Sequence, residues 1–369
     1  MKRSTDLFLM MMVLALAGCA AHPAQSPNTP VQTGNAAACA DKHGVFVQGA
    51  KLISPRAEQT ASLLENGQVL LAGGWGAMDS SEIYDPASAS FQPGPKLTVK
   101  RVKAVAARLP DGRVLLSGGM GDHTGATASA EVFDPKTNTF TATGPMSAPR
   151  ALHSATLLQN GKVLVTVGKS ADLFDPATNT FSPAAKPLFS ASVSSATRLA
   201  DGRVLLACPG EAFKDWNKAE IYDPGSNQFT PTGDMAAPSF NCSGTLLPDG
   251  KVLFVGNGGG AQIYDPATAR FSSTAVAEAP VMFPSETLLN DRRVLIAGVA
   301  LPLDRHHNDT TVATIYDSSS AAFTPAGTLK PVRRGYTLTT LLDGSVLLAG
   351  GAQGTPPKTL SDRAMLYCP

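Results

Sequence analysis

Arginine recurs in this chain at a spacing that could serve anion recognition. Seven Asn-Gly, Asp-Gly or Asp-Arg pairs mark tight turns, and the residue eleven positions before the second member of each is Arg56, Arg101, Arg150, Ala191, Ser239, Val281 and Arg333. In the sixth, Arg292 stands where the others carry Gly. A planar guanidinium matches carboxylate, phosphate or sulfate oxygens two at a time. Other residues able to do chemistry are Trp75 and His123, each just past a Gly-Gly pair, and Phe213 and Trp216 in the stretch 210–218. The stretch 300–311 holds Asp304, His306, His307 and Asp309, a set that could bind a divalent ion. Adjacent histidines on one loop rarely face one ion, so no metal site is expected there. No nucleophile elbow, phosphate loop or zinc spacing is present, and no cofactor is expected.

The element that must position these residues is a repeat. The sequence Glu-Val-Phe-Asp-Pro-Lys-Thr-Asn-Thr-Phe at 131–140 has counterparts at Tyr84-Asp85-Pro86, Phe174-Asp175-Pro176, Tyr222-Asp223-Pro224 and Tyr264-Asp265-Pro266, decaying to Tyr316-Asp317-Ser318 and Tyr367-Cys368-Pro369. Successive Asp spacings are 49, 41, 48, 42 and 52 residues, and a Phe follows each Asp by six positions at Phe91, Phe140, Phe181, Phe229, Phe271 and Phe323. That period belongs to propellers and solenoids.

Each unit reads as four strands. A small, apolar first strand ends at the Asn-Gly or Asp-Gly hairpin. The second strand is a continuous apolar run, as in Val69-Leu70-Leu71, Val163-Leu164-Val165 and Val346-Leu347-Leu348, which predicts burial on both faces. The third ends at aromatic-Asp-Pro, where Asp and Pro favour a turn, and the Phe begins the fourth. Helical periodicity is missing past the first residues, so the fold expected is all-β.

These seven copies resemble the kelch repeat, and the resemblance implies a seven-bladed β-propeller of four-stranded blades. Val45–Lys51 matches a fourth strand while the last copy stops after its third, so the N-terminal strand should complete the last blade and close the ring. Cys368 stands where Asp belongs and Cys39 lies beside the matching position before Phe46, so the two are expected to form a disulfide that locks the ring. Cys208 and Cys242 fall at strand ends that meet on one face, and are read either as a second bridge or as two buried thiols. On a propeller the arginines come from blades 7, 1, 2 and 3, a half-ring at one channel mouth. It is either an anion site or a set of ion pairs with the strand-three acids Glu82, Glu131 and Asp172, as kelch blades commonly have. Blade 7 carries Met365 at that place, leaving Arg333 without such a partner. His153, at the start of a first strand, is expected to be a hydrogen-bonded core residue. Kelch propellers also form the central domain of copper-radical oxidases. Those need paired Tyr and His ligands, a Tyr-Cys cross-link and extra domains, and the seven blades leave no room for them.

Lys2 and Arg3 precede the apolar run Leu7–Ala17, too short to span a bilayer but sized for a secretory signal. It ends in Leu16-Ala17-Gly18-Cys19, which resembles the lipobox of bacterial lipoproteins, implying acylation of Cys19. Ala20 after it favours, by the same resemblance, the outer membrane. Expected boundaries are a signal at 1–18, a flexible tether of Ala, Pro, Gln, Ser, Asn and Thr at 19–38, and the propeller at 39–369. Of 369 residues, 43% are hydrophobic and 16% charged, and removing 1–18 leaves 28 bases and 28 acids. No global field points to nucleic acid. The expected function is a monomeric, lipid-anchored, non-catalytic binding module for a protein or an anionic glycan. The alternatives are a carbohydrate-active enzyme resembling kelch-type sialic acid mutarotases or copper oxidases, and a purely structural envelope role.

Overall fold

The computed structural model describes residues 33–122, 125–189, 195–208, 217–237, 239–257, 260–274, 281–300, 310–330, 333–353 and 359–369. Seven antiparallel sheets of four or more strands follow one another in chain order; six are four-stranded, their strands consecutive except in the second, where the short pair Met120–Gly121 and Gly125–Ala126 intervenes. Blade 1 is Thr60–Leu63, Val69–Ala72, Ser81–Asp85 and Ser90–Pro93. Blade 7 pairs Arg334–Thr340, Val346–Gln353 and Arg363–Cys368, and its outer strand is the N-terminal Val45–Lys51, in register Val45 with Cys368 and Phe46 with Tyr367. The first strands contact one another from blade to blade, and that of blade 7 contacts that of blade 1. The chain is a closed, seven-bladed, kelch-like β-propeller.

The repeated residues explain why. The third-strand aromatic sits opposite the fourth-strand Phe in every blade, from Tyr84 with Phe91 to Tyr367 with Phe46, at ring separations of 4.8–5.1 Å. Tilted aromatic pairs at this distance add to area burial. The Asp of aromatic-Asp-Pro accepts the backbone N–H two residues on, as Asp85 does from Ala87 at 2.8 Å and Asp317 from Ser319 at 2.8 Å. Hairpin glycines such as Gly67 and Gly202 have φ of 82° and 87°, a region glycine enters freely, and Arg292 adopts 75° at the same place.

The second strands are buried on both faces because the core lies between blades. Val114 and Leu116 pack with Leu64 and Leu70 of blade 1, whereas Leu115 between them packs with Val163 and Val165 of blade 3. The junction of blades 7 and 1 is built the same way, Leu347 and Leu366 meeting Val69 and Tyr84. One blade therefore cannot bury its own apolar surface, and only a closed ring covers all of it.

Both bridges form. Cys39 joins Cys368 across 329 residues of sequence, and Cys208 joins Cys242 between blades 4 and 5, with Cα separations of 5.5 and 6.1 Å. The tether was expected to run to Ala38, but Thr33–Ala38 is a short helix docked on blade 1. Asn35 is fully buried, its N–H donates to the Pro86 carbonyl at 3.0 Å, and its Oδ1 accepts the Tyr84 hydroxyl at 2.6 Å. These anchoring bonds on a buried Asn give the six residues a reason to order that their composition does not show.

Candidate ligand-binding site

Strands alternate in direction, so the ring has two unlike faces. Hairpins and Asp-Pro turns lie on one, here the turn face; the loops after the second strands and those leading into the first strands lie on the other, the loop face. All the arginines in question belong to the loop face.

Three of them are spent. Arg56 reaches Glu82 at 2.6 Å and Arg101 reaches Glu131 at 2.6 Å, while Arg150 is paired with Asp172. Their Nη1 atoms hold backbone carbonyls in blades 1 and 2, Arg56 that of Gly73 at 3.1 Å and Arg101 that of Gly118 at 2.7 Å. All three are at most 1% exposed. The expected half-ring of ligand-binding arginines is corrected accordingly: an acid one strand-pair away in each of blades 1–3 takes the guanidinium before a ligand could. Each acid also accepts a loop amide three residues before its arginine, from Ile53, Thr98 and Ser147 at 2.8, 2.7 and 2.9 Å. Arg333 differs. It is 2% exposed, its Nη1 donates to the Arg363 carbonyl at 3.2 Å, and among the described residues no carboxylate forms an ion pair with it.

His153 is buried with Nε2 at 2.8 Å from the Ser117 hydroxyl. Burial, with Arg150 and Arg101 adding to it, pushes its imidazole down to about 3, so it stays neutral. Its expected place in the core holds. His123, Phe213, Trp216, His306 and His307 lie outside the described residues.

The groups that do converge were missed in the sequence. Two residues past each loop arginine or its counterpart, the backbone turns to positive φ: Glu58 57°, Lys103 57°, Leu152 55°, Asn241 49°, Phe283 54° and Gly335 65°. Bulky and charged residues rarely adopt this conformation, and holding them there costs free energy that surrounding contacts must offset. The contacts run around the ring. Glu58 N–H donates to the Gly335 carbonyl at 2.7 Å, and Lys103 N–H donates to the Glu58 carbonyl at 3.1 Å, linking blades 7, 1 and 2 at the channel mouth.

Side chains converge on the same spot. The Lys103 ammonium is 3.6 Å from Glu58 Oε2, both side chains nearly inaccessible at 3% and 7%. Trp75 Nε1 donates to the same Oε2 at 3.0 Å, while the residue as a whole is 37% exposed. Backbone pairing of Trp75 with Ala57, at 2.8 and 3.3 Å, fixes the indole there. Burial pushes the Glu58 carboxyl up to about 7, against the pull of Lys103 and the Trp75 hydrogen bond, and pushes the Lys103 ammonium down. Farther round, the Arg334 guanidinium lies over the Phe283 ring at 5.3 Å. The mouth thus combines an exposed indole, a carboxyl able to hold or release a proton near neutrality, and fixed cations. Perturbed titrations with a specific charge partner mark a candidate functional site.

No family model and no curated protein matches this chain. Solved structures do. A fungal alcohol oxidase in complex with copper superposes with a TM-score of 0.70 at 18% identity, covering 88% of this chain and 75% of that one. The protein YjhT superposes with a TM-score of 0.58 at 14% identity, covering 74% and 98% respectively. At these identities the likeness is one of fold. The described residues do not suit a copper ion. Among the described residues no three His, Cys, Asp or Glu side chains come together as ligands, Cys242 is tied to Cys208, and His153 is bonded to Ser117.

Proposed function

We propose that this chain is a carbohydrate-binding propeller of the bacterial cell envelope, held to the membrane through Cys19, with its ligand seated at the loop-face mouth of blades 7, 1 and 2. The observation that carries the reading is the Trp75, Glu58 and Lys103 cluster, an exposed aromatic face set beside a buried carboxyl on strained backbone. A sugar ring presents an apolar C–H face to an indole and hydroxyls to a carboxylate. An aromatic anchor with a few fixed polar groups is the usual composition of such sites.

The position of the first described residues supports this orientation. The docked helix Thr33–Ala38 packs on Pro86 and Tyr84 at the turn face, so a chain leading back to Cys19 departs from the side opposite the mouth. The membrane would then lie behind the ring and the mouth would face outward. Labelling of the exported protein with a radioactive fatty acid, lost in Cys19→Ser, tests the anchor separately.

For the ligand, the full chain carrying Cys19→Ser is screened on a glycan array, with Trp75→Ala as the informative variant and Ile53→Ala, another exposed apolar residue, as control. Glycan capture lost only in Trp75→Ala supports the reading. Capture unchanged in Trp75→Ala, or no capture by the unaltered site, removes it and turns the search to protein partners. One observation favours an enzyme as second reading: the Glu58 carboxyl, pushed up to about 7, is suited to general acid or base work. Incubating each captured glycan with the protein and following its NMR spectrum separates the two, since turnover lost in Glu58→Gln with binding retained makes the site catalytic.

A further inference from the structure

The seven blades are internal controls for one another at the place facing the loop arginine. In blades 1–3 that place holds Glu82, Glu131 or Asp172, each pairing with an arginine and accepting a loop amide. In blade 4, Glu220 keeps the amide, Leu188 N–H at 2.8 Å, while Ala191 replaces the arginine. In blade 5, Gln262 keeps it in neutral form, accepting from Ala237 N–H at 3.2 Å and donating to the Ala237 carbonyl at 2.9 Å.

Blade 7 shows the converse. The arginine remains and is held by the same backbone contact, since Arg333 Nη1 to the Arg363 carbonyl at 3.2 Å repeats Arg56 Nη1 to the Ser80 carbonyl at 3.2 Å. The acid does not remain: Met365 pairs with Leu348 just as Glu82 pairs with Leu71. A guanidinium 2% exposed thus sits in a frame that elsewhere in this molecule is completed by a carboxylate. The nearby charges do not complete it. Arg363 adds positive charge, and the acid that offsets it, Asp362, is 3.2 Å from Lys51. A buried cation without a counter-charge is costly unless something supplies one.

We propose that Arg333 in blade 7 is a recognition group for a small carboxylate ligand, the ligand's carboxylate pairing with the guanidinium as Glu82 does with Arg56 in blade 1, once the Met365 side chain moves aside. The ligand class is a monocarboxylate or an acidic sugar, because the fork of one guanidinium matches one carboxylate. Phosphate monoesters, bulkier and doubly charged, fit the frame less well. This site stands independently of the sugar reading at Trp75, although blade 7 borders blade 1 and one ligand could touch both.

The test uses the full chain carrying Cys19→Ser, with acetate and glucuronate as probes against chloride and glucose at matched ionic strength. Wild type is expected to show a Tm that rises with acetate and glucuronate but not with chloride or glucose. Arg333→Gln should weaken glucuronate binding by about tenfold or more. Met365→Glu is the decisive variant, because it supplies the missing carboxylate from within. It should raise Tm without any probe and abolish the carboxylate response. Should Arg333→Gln fail to fold, Met365→Glu still decides. A wild type indifferent to carboxylates overturns the proposal, as does a Met365→Glu protein that responds like wild type. Glucuronate binding lost in Trp75→Ala but retained in Met365→Glu places the anion at the mouth, and likewise overturns it.

Discussion

Blades 1–3 and blades 4 and 7 present the same backbone frame with different charges in it, and the difference separates what the fold demands from what it tolerates. In blades 1–5 the third-strand residue always accepts a loop amide, whether it is Glu82, Glu131, Asp172, Glu220 or Gln262. These amides are part-buried, and leaving such an N–H without a partner costs free energy, so the acceptor is what these five blades share. The cation is optional. It is present with an acid in three blades, replaced by Ala191 in the blade of Glu220, and present at Arg333 with no acid paired to it among the described residues. Paired charges stay silent because each is neutralised in place, whereas the unmatched acid and the unmatched base are left to respond to protons and to anions.

The largest effect should come from unmatching a pair. Glu131→Ala strands Arg101, 1% exposed, in the interior, and should cost about 3–5 kcal/mol of unfolding free energy. Arg101→Met with Glu131→Gln removes both charges, keeps an acceptor for Thr98 N–H and should cost far less, which urea denaturation of the three proteins will show. If the double variant is as unstable as the single one, the pair is needed for its hydrogen bonds to backbone and not for charge balance.

A smaller, pH-dependent effect should come from the acid already unmatched. Burial, opposed by hydrogen bonds from Leu188 and Phe189 N–H and by Lys169, raises the Glu220 carboxyl to about 7. A raised carboxyl favours the folded state in its protonated form, so its contribution is complete below the ordinary carboxylate range and is lost as pH rises through about 7. The loss is up to about 3 kcal/mol. Glu220→Gln reproduces the neutral acceptor that blade 5 already has in Gln262, and should flatten the fall in stability between about pH 5 and 8. Glu58 titrates in the same window, so the difference between Glu220→Gln and wild type is the quantity to follow, and parallel curves would show that Glu220 is ionised at no cost.

The ring was legible in the sequence because it is written in local periods. The Phe six residues past each Asp lands opposite the aromatic, so Tyr84 meets Phe91 by the count of a tight turn alone, while Tyr367 meets Phe46 through closure of the ring. Continuous Val-Leu-Leu runs announced burial on both faces, and Cys39 and Cys368 marked the closure. The candidate site was less legible. The ion pairs join residues 22, 26 and 30 apart, close enough to align by repeat, and were foreseen as one alternative to a ligand site. Glu58 and Lys103 offered no such signal. The positions two past each arginine hold Glu, Lys, Leu, Asn, Phe and Gly in the described blades, no shared type, and what they share is a positive φ imposed by the turn into the channel. Glu58 meets Lys103 because adjacent blades abut at the mouth, a fact of ring closure that no local pattern carries.

The smallest effect should come from the arginine pairs of the hairpins, on the opposite face. Asp111 with Arg113, Asp201 with Arg203 and Asp291 with Arg293 are also close, at 2.7, 2.7 and 2.6 Å, yet their side chains are 23–48% exposed. Each Asp makes a second contact, its Oδ1 accepting the arginine's own backbone N–H at 3.0–3.1 Å, which shapes the hairpin. Asp201→Asn keeps that acceptor and gives up only the charge, which solvent already screens. The expected cost is about 0.2–1 kcal/mol, set against several for Glu131→Ala in the same denaturation assay. Distances alone would rank the two pairs as equals, so a large loss in Asp201→Asn would mean that geometry rather than burial separates the two faces. A small loss means that the dielectric around the pair decides, and that Arg333, buried with no acid paired to it among the described residues, has more to gain from a ligand than the three paired arginines.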